Sequence, residues 1–150
     1  MARDRIAAAL VVLAAAGACG RGDPPGKAAA AQGPPLAGKP FYRVDAGPPA
    51  LCTAGAACQA RLVLTALGAY HVNKDYPFKF VGEPAPATPI DGEGAFAVDD
   101  ARHGTMTVTF RPAAPGTTKL AGTFKLSVCS DDTCEIETPR VELAVAVSAR

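Results

Sequence analysis

The chain has 150 residues, with 15 lysines and arginines against 14 aspartates and glutamates, and it has five cysteines. The length suffices for one domain of ordinary size, which we place at residues 41–150 because the first forty residues lack the pattern of a folded domain. The charge is balanced and no basic cluster occurs. The sequence therefore excludes a nucleic-acid partner and a polybasic membrane-binding patch.

The N-terminus has the parts of a secretory signal peptide. Arg3, Asp4 and Arg5 precede an uncharged apolar run at residues 6–16, and small residues lead up to Cys19. A short run of this kind is typical of a signal peptide, whereas a membrane-spanning helix needs about 20 apolar residues. We expect residues 1–18 to be removed on export.

Cys19 resembles the cysteine of a bacterial lipobox, which is lipidated after cleavage, although Ala16 stands where leucine is usual. The alternative is ordinary cleavage after Ala18, which leaves Cys19 with a free thiol. Five cysteines is an odd number for an oxidising compartment, and acylation of Cys19 leaves four for two bridges. We therefore expect acyl chains on Cys19 to anchor the protein in the membrane of a bacterial cell envelope, facing the periplasm. In some lipoproteins an aspartate directly after the lipidated cysteine retains the protein in the inner membrane. Gly20 stands at that position here, which favours the outer membrane.

Residues 19–40 are rich in glycine, proline and alanine and have almost no large apolar side chain. Such a segment cannot bury enough surface to offset the entropy cost of becoming ordered. The sequence therefore predicts a disordered, flexible linker between the lipidated cysteine and the domain.

Beyond Phe41 the apolar residues recur at every second position, the spacing that separates the two faces of a strand. Weaker candidate strands occur at residues 41–44, 61–67, 78–81 and 95–98, and we expect a turn at residues 92–94. About seven short strands in about 110 residues predict an all-β domain, an immunoglobulin-like antiparallel β-sandwich. The clearest strands have their repeating positions at Met106, Val108 and Phe110, at Leu120, Gly122, Phe124, Leu126 and Val128, and at Val141, Leu143, Val145 and Val147.

Four cysteines remain in the predicted domain, as the close pairs Cys52 with Cys58 and Cys129 with Cys134. Four cysteines permit three connectivities, and the spacing alone does not choose among them. We favour the local pairing, because small or polar turn-forming residues separate each pair and allow the two Cα atoms to approach.

Two segments resemble a known family. The stretch GAYHVNKDYPFKF at residues 68–80 and the stretch GTFKLSVCSDDTCEIETPRVELAVAV at residues 122–147 resemble the N-terminal immunoglobulin-like domain of the thiol:disulfide interchange protein DsbD. The resemblance implies that Cys129 and Cys134 cycle between dithiol and disulfide and exchange with a thioredoxin-fold protein of the periplasm. The chain lacks the transmembrane part of that family and its C-x-x-C motif. The resemblance therefore implies the module alone, on a lipid anchor.

The charges around this cysteine pair favour a structural role instead. Asp131, Asp132, Glu135 and Glu137 surround the pair in sequence, and such carboxylates raise the pKa of a thiol and slow its attack on a disulfide. Two hypotheses result. The first is a non-enzymatic, envelope-anchored interaction module with structural disulfides, and the alternative is a periplasmic thiol:disulfide exchange module that uses Cys129 and Cys134.

A second candidate site contains Tyr70, His71 and Asn73. We interpret these residues, with Tyr76 and Pro77, either as a packed loop or as the rim of a surface that binds a thioredoxin-fold or other envelope protein. His71 and His103 are the only histidines and have no close metal-ligand spacing, so we expect no metal and no cofactor.

Overall fold

The structure is a computed structural model that describes residues 33–150. The predicted signal peptide, Cys19 and most of the predicted linker lie outside these residues. No helix long and apolar enough to cross a membrane is found in the described part of the chain. The eleven strands of residues 33–150 are β1 (Ala37–Lys39), β2 (Tyr42–Ala46), β3 (Cys52–Thr53), β4 (Cys58–Ala66), β5 (His71–Val72), β6 (Lys79–Gly82), β7 (Ile90–Val98), β8 (His103–Phe110), β9 (Gly116–Cys129), β10 (Cys134–Glu137) and β11 (Arg140–Ser148).

The strands form two sheets. The first has the order β1-β2-β4-β8-β7, and every pairing in it is antiparallel. The second has the order β10-β9-β11-β3, and β5 and β6 also pair with β9. Strand β3 runs parallel to β11, whereas the other described pairings of this sheet are antiparallel.

One hydrophobic core lies between the sheets. On β8 the residues Met106, Val108 and Phe110 are completely buried, and they alternate with threonines that are partly exposed. The same alternation on β9 buries Phe124 and Leu126. The predicted all-β, immunoglobulin-like sandwich is thus confirmed, and each strongly alternating segment is a strand with one face in the core.

The structure differs from the sequence prediction in three respects. It contains eleven strands rather than about seven, because short strands such as β3 and β5 have too few residues to show a period. Strand pairing begins at Ala37, before the predicted domain start at Phe41, and Leu36 already packs against the core. The predicted turn at residues 92–94 is wrong, because β7 continues through it with a bulge at which Gly92 and Gly94 have φ values of 74° and 75°.

An aromatic cluster closes the side of the sandwich where β6 and β7 meet. The rings of Phe78 and Phe96 are stacked with their centroids 3.8 Å apart, and the ring of Phe124 lies 6.1 Å from that of Phe96. The cluster joins residues of both sheets and so ties the segment after β5 to the core.

Candidate functional site

Cys129 and Cys134 are joined by a disulfide in the structure, with an S–S distance of 2.02 Å. Cys129 ends β9 and Cys134 begins β10, and the two residues are direct partners in the pairing of these strands. Their Cα atoms are 4.0 Å apart. The disulfide therefore closes a hairpin at one end of the second sheet.

Ser130 organises the turn of this hairpin. Its backbone N–H donates to the carbonyl oxygen of Thr133 at 2.7 Å, and its hydroxyl oxygen accepts from the N–H groups of Asp132 and Thr133 at 3.3 Å each. Serine commonly bonds nearby backbone groups in this way in turns. These bonds hold the two cysteines opposite each other.

The two cysteines differ in exposure. Cys129 is only 7 % exposed, whereas Cys134 is exposed at the edge of the sheet. Ile136 lies two residues along β10 on the same face as Cys134, and its exposed fraction is 63 %. No described strand pairs with the outer edge of β10.

The pleat of β10 changes the expected charge environment of the disulfide. Successive side chains of a strand point to opposite faces, so Glu135 and Glu137 lie on the face opposite to Cys134. Glu137 forms an ion pair there with Lys39 of β1. The carboxylates expected around the sulfurs are therefore reduced to those of Asp131 and Asp132 in the turn.

The segment with Tyr70, His71 and Asn73 lies against the other edge of β9. His71 is the direct pairing partner of Cys129, so an exposed imidazole lies on one side of Cys129 and Cys134 on the other. Tyr70 turns away toward Phe41, with a ring-centroid distance of 5.2 Å. The structure thus brings His71, but not the ring of Tyr70, to the cysteine pair.

Asn73 fixes this segment through two hydrogen bonds to one residue of β9. Its side-chain Nδ2 donates to Ser127 Oγ at 3.2 Å, and its backbone N–H donates to the carbonyl oxygen of Ser127 at 3.1 Å. Ser127 is completely buried. Asn73 is therefore a positioning residue of the segment.

These residues form two neighbouring rows across three strand segments on the outer face of the second sheet. We call this surface the disulfide face. Ser127 and Ile136 were not predicted as site residues from the sequence. The signal that could have found Ile136 is the alternation of charged and uncharged residues at 134–137, directly after a turn. The first row is Cys134, Cys129 and His71, and the second is Ile136, Ser127 and Asn73.

The second cysteine pair differs from the prediction, since Cys52 and Cys58 carry free thiols in the structure. They are 4 % and 3 % exposed. Burial, with a hydrogen bond to the Cys58 sulfur, raises the pKa of the Cys52 thiol to about 12. The two thiols are therefore buried in the core and not joined.

Other candidate features lie apart from the disulfide face. His103 Nδ1 contacts a carboxylate oxygen of Asp100 at 2.9 Å, and no group of three or more metal-ligating side chains occurs among residues 33–150. A groove of about 540 Å³ between β6 and β7 includes Val81 and Ile90 but none of the predicted site residues.

Comparison with known proteins gives a fold neighbour and no family. No protein-family model matches the chain, and no curated protein matches it. Among solved structures, the chain is similar to the seventh PapD-like (ASH) domain of human CEP192, with 15 % identity and a TM-score of 0.33 over 84 % of this chain and 99 % of that one. The chain is an immunoglobulin-like all-β domain, and its strand topology carries that assignment.

Proposed function

We propose that the protein is an envelope-anchored lipoprotein whose immunoglobulin-like domain binds another protein through the disulfide face. The observation that carries the proposal is the exposed Ile136 beside the exposed Cys134 of the disulfide, on a strand whose outer edge pairs with no strand of residues 33–150. The anchor is Cys19, at the start of the predicted linker.

Three features of the disulfide face support protein binding. When a partner covers a large apolar side chain such as Ile136, the removal of its surface from water contributes favourably to the free energy of binding. The outer edge of β10 offers backbone groups to which an extended segment can add as a further strand. The disulfide and Asn73 fix the two flanking segments, so the surface is already ordered before a partner binds.

Substitution of Ile136 tests the surface. Affinity purification of the tagged full chain from envelope extracts should recover a partner with the wild type and with Leu51→Asp, and lose it with Ile136→Asp. Leu51 is a suitable control because it is fully exposed and precedes β3, away from the disulfide face. Equal recovery with both variants would contradict the proposal.

Substitution of Cys19 tests the anchor. Because acyl chains supply the membrane attachment in this proposal, Cys19→Ala should move the protein from the membrane fraction to the soluble periplasmic fraction. Continued membrane retention of this variant would refute lipidation at Cys19.

A second candidate function is thiol:disulfide exchange at the same face, and the exposure of Cys134 favours it. A partner thiolate would attack the Cys134 sulfur and form a mixed disulfide, and the Cys129 sulfur would leave as a thiolate that takes up a proton. A second thiol of the partner would then release Cys134 as a thiol. The partner is oxidised and this domain is reduced.

Two measurements separate exchange from a purely structural disulfide. Exchange predicts a reduction potential of about −200 mV, whereas the reduction potential of a structural disulfide lies below about −300 mV. Exchange also predicts that Cys129→Ser accumulates a reductant-sensitive complex through Cys134, and that Cys134→Ser accumulates much less of it. A low potential with no such complex would exclude exchange and leave the binding proposal intact.

A further inference from the structure

Cys52 and Cys58 lie on different sheets. Cys52 begins β3 and pairs with Val147 of the second sheet, whereas Cys58 begins β4 and pairs with Phe110 of the first sheet. Both cysteines belong to the core between the sheets, and only five residues separate them along the chain. The chain thus crosses from one sheet to the other between two buried thiols.

The crossing is a fixed turn. The N–H of Ala56 donates to the carbonyl oxygen of Thr53 at 3.1 Å, and Gly55 has a φ of 74°, as the third residue of a type II turn requires. The N–H of Gly55 also donates to the carbonyl oxygen of Pro112 at 2.7 Å. The backbone of the short loop between the two cysteines is therefore held in place by these two hydrogen bonds.

We propose that Cys52 and Cys58 form a second disulfide, which joins the two sheets, and that the structure shows its dithiol form. In the reaction each thiol gives up a proton, one S–S bond forms, and two electrons reduce the disulfide of an oxidant such as glutathione disulfide to two thiols. The proposal is independent of what the disulfide face binds.

Burial sets when this bond forms. A pKa of about 12 leaves little Cys52 thiolate at neutral pH, and both residues are less than 5 % exposed. An oxidant therefore reaches the pair while the chain folds, before the core closes. Once made, the bond is shielded from reductants, in contrast to the disulfide at the exposed Cys134.

The first experiment isolates the pair. The full chain with Cys19→Ser, Cys129→Ser and Cys134→Ser is unfolded, reduced, and refolded in a glutathione and glutathione disulfide buffer. It is then alkylated in denaturant and weighed by mass spectrometry. We expect no alkyl group and a mass about two units below that of the dithiol, because two hydrogens leave. Two alkyl groups per refolded chain would overturn the proposal.

A second experiment keeps all four domain cysteines and changes only Cys19→Ser. After oxidative refolding we expect peptide mapping to find Cys52 joined to Cys58 and Cys129 joined to Cys134. Dithiothreitol should then reduce the first bond at least about tenfold more slowly than the second, because it is buried. Equal rates, or a bond between the two pairs, would contradict the assignment.

Discussion

Asn73 connects the His71 segment to β9 through its side chain as well as its backbone. Besides donating to Ser127 Oγ, its Oδ1 accepts from the N–H of Asp75 at 3.3 Å, so the side chain bonds both to β9 and within its own turn. The Ser127 hydroxyl is completely buried, so the Asn73 amide takes the place of water there.

We expect Asn73→Ala to lower the free energy of unfolding by about 1–2 kcal/mol, because it leaves a buried hydroxyl without this donor. Urea denaturation measures the change. Ser127→Ala completes a double-mutant cycle, in which the two substitutions together should cost less than the sum of the single ones. Strictly additive costs would show that the 3.2 Å contact contributes nothing.

Arg140 forms an exposed ion-pair network with Glu83 and Glu142. The hydrogen bond from Arg140 lowers the pKa of Glu83, and Lys119 together with Arg140 lowers that of Glu142. The unfolded chain therefore binds protons at a higher pH than the folded one. This stabilisation is complete above the ordinary glutamate pKa and is lost as the pH falls through the lower folded values.

The variant Arg140→Gln should consequently show a smaller fall in unfolding temperature between pH 7 and pH 3 than the wild type. Lys125→Gln is the control, because Lys125 is exposed and forms no ion pair with another described residue. Thermal unfolding followed by circular dichroism measures both. A wild-type pH dependence in Arg140→Gln would contradict the role of this network.

At the scale of single elements, the β7 bulge offers a matched pair of glycines with nearly equal positive φ. A Cβ at Gly92 would meet nothing within 4 Å, whereas one at Gly94 would lie 2.6 Å from Met106 Sδ and 3.1 Å from the carbonyl oxygen of Thr107. Met106 is completely buried, so its side chain has little room to move.

We expect Gly92→Ala to cost about 1 kcal/mol, the cost of a left-handed backbone conformation alone. Gly94→Ala should cost about 2–4 kcal/mol, because it adds a steric conflict with the core. Denaturant unfolding of the two variants measures the difference. Equal costs would show that the bulge does not press Gly94 against Met106.

The elements that the sequence predicted are those that bury one face along their whole length. Strand β8 alternates over eight residues, and its period is visible without knowledge of its partners. Strand β5 has two residues and exists because it pairs with the end of β9, a long-range contact that leaves no local pattern. The prediction of a turn at residues 92–94 was wrong because glycines with positive φ also occur in β-bulges.

The same distinction applies to the candidate site. Residue types alone singled out Cys129, Cys134 and His71, since these side chains carry chemistry in any context. Their arrangement in one row depends on two registers of β9, with β10 and with β5, and local sequence does not specify such registers. Ile136 became a candidate only because it lies beside Cys134 on an edge that no other described strand pairs with.

At the scale of the whole molecule, Cys52 and the disulfide of Cys129 and Cys134 lie at opposite ends of the second sheet. Gly116 at the start of β9 and Cys52 both pair with Val147, while Cys129 ends β9. A strand of this length spans roughly 40 Å. One end thus has a buried pair suited to holding the sheets together, and the other has an exposed disulfide suited to contact with a partner.

A photo-crosslinking amino acid placed at Ile136 of the full chain in living cells tests the partner surface most directly, with the same amino acid at Leu51 as control. We expect irradiation to give one discrete crosslinked species from position 136 and none from position 51. Crosslinks of equal yield at both positions, or no crosslink at position 136, would contradict the assignment of the disulfide face as the binding surface.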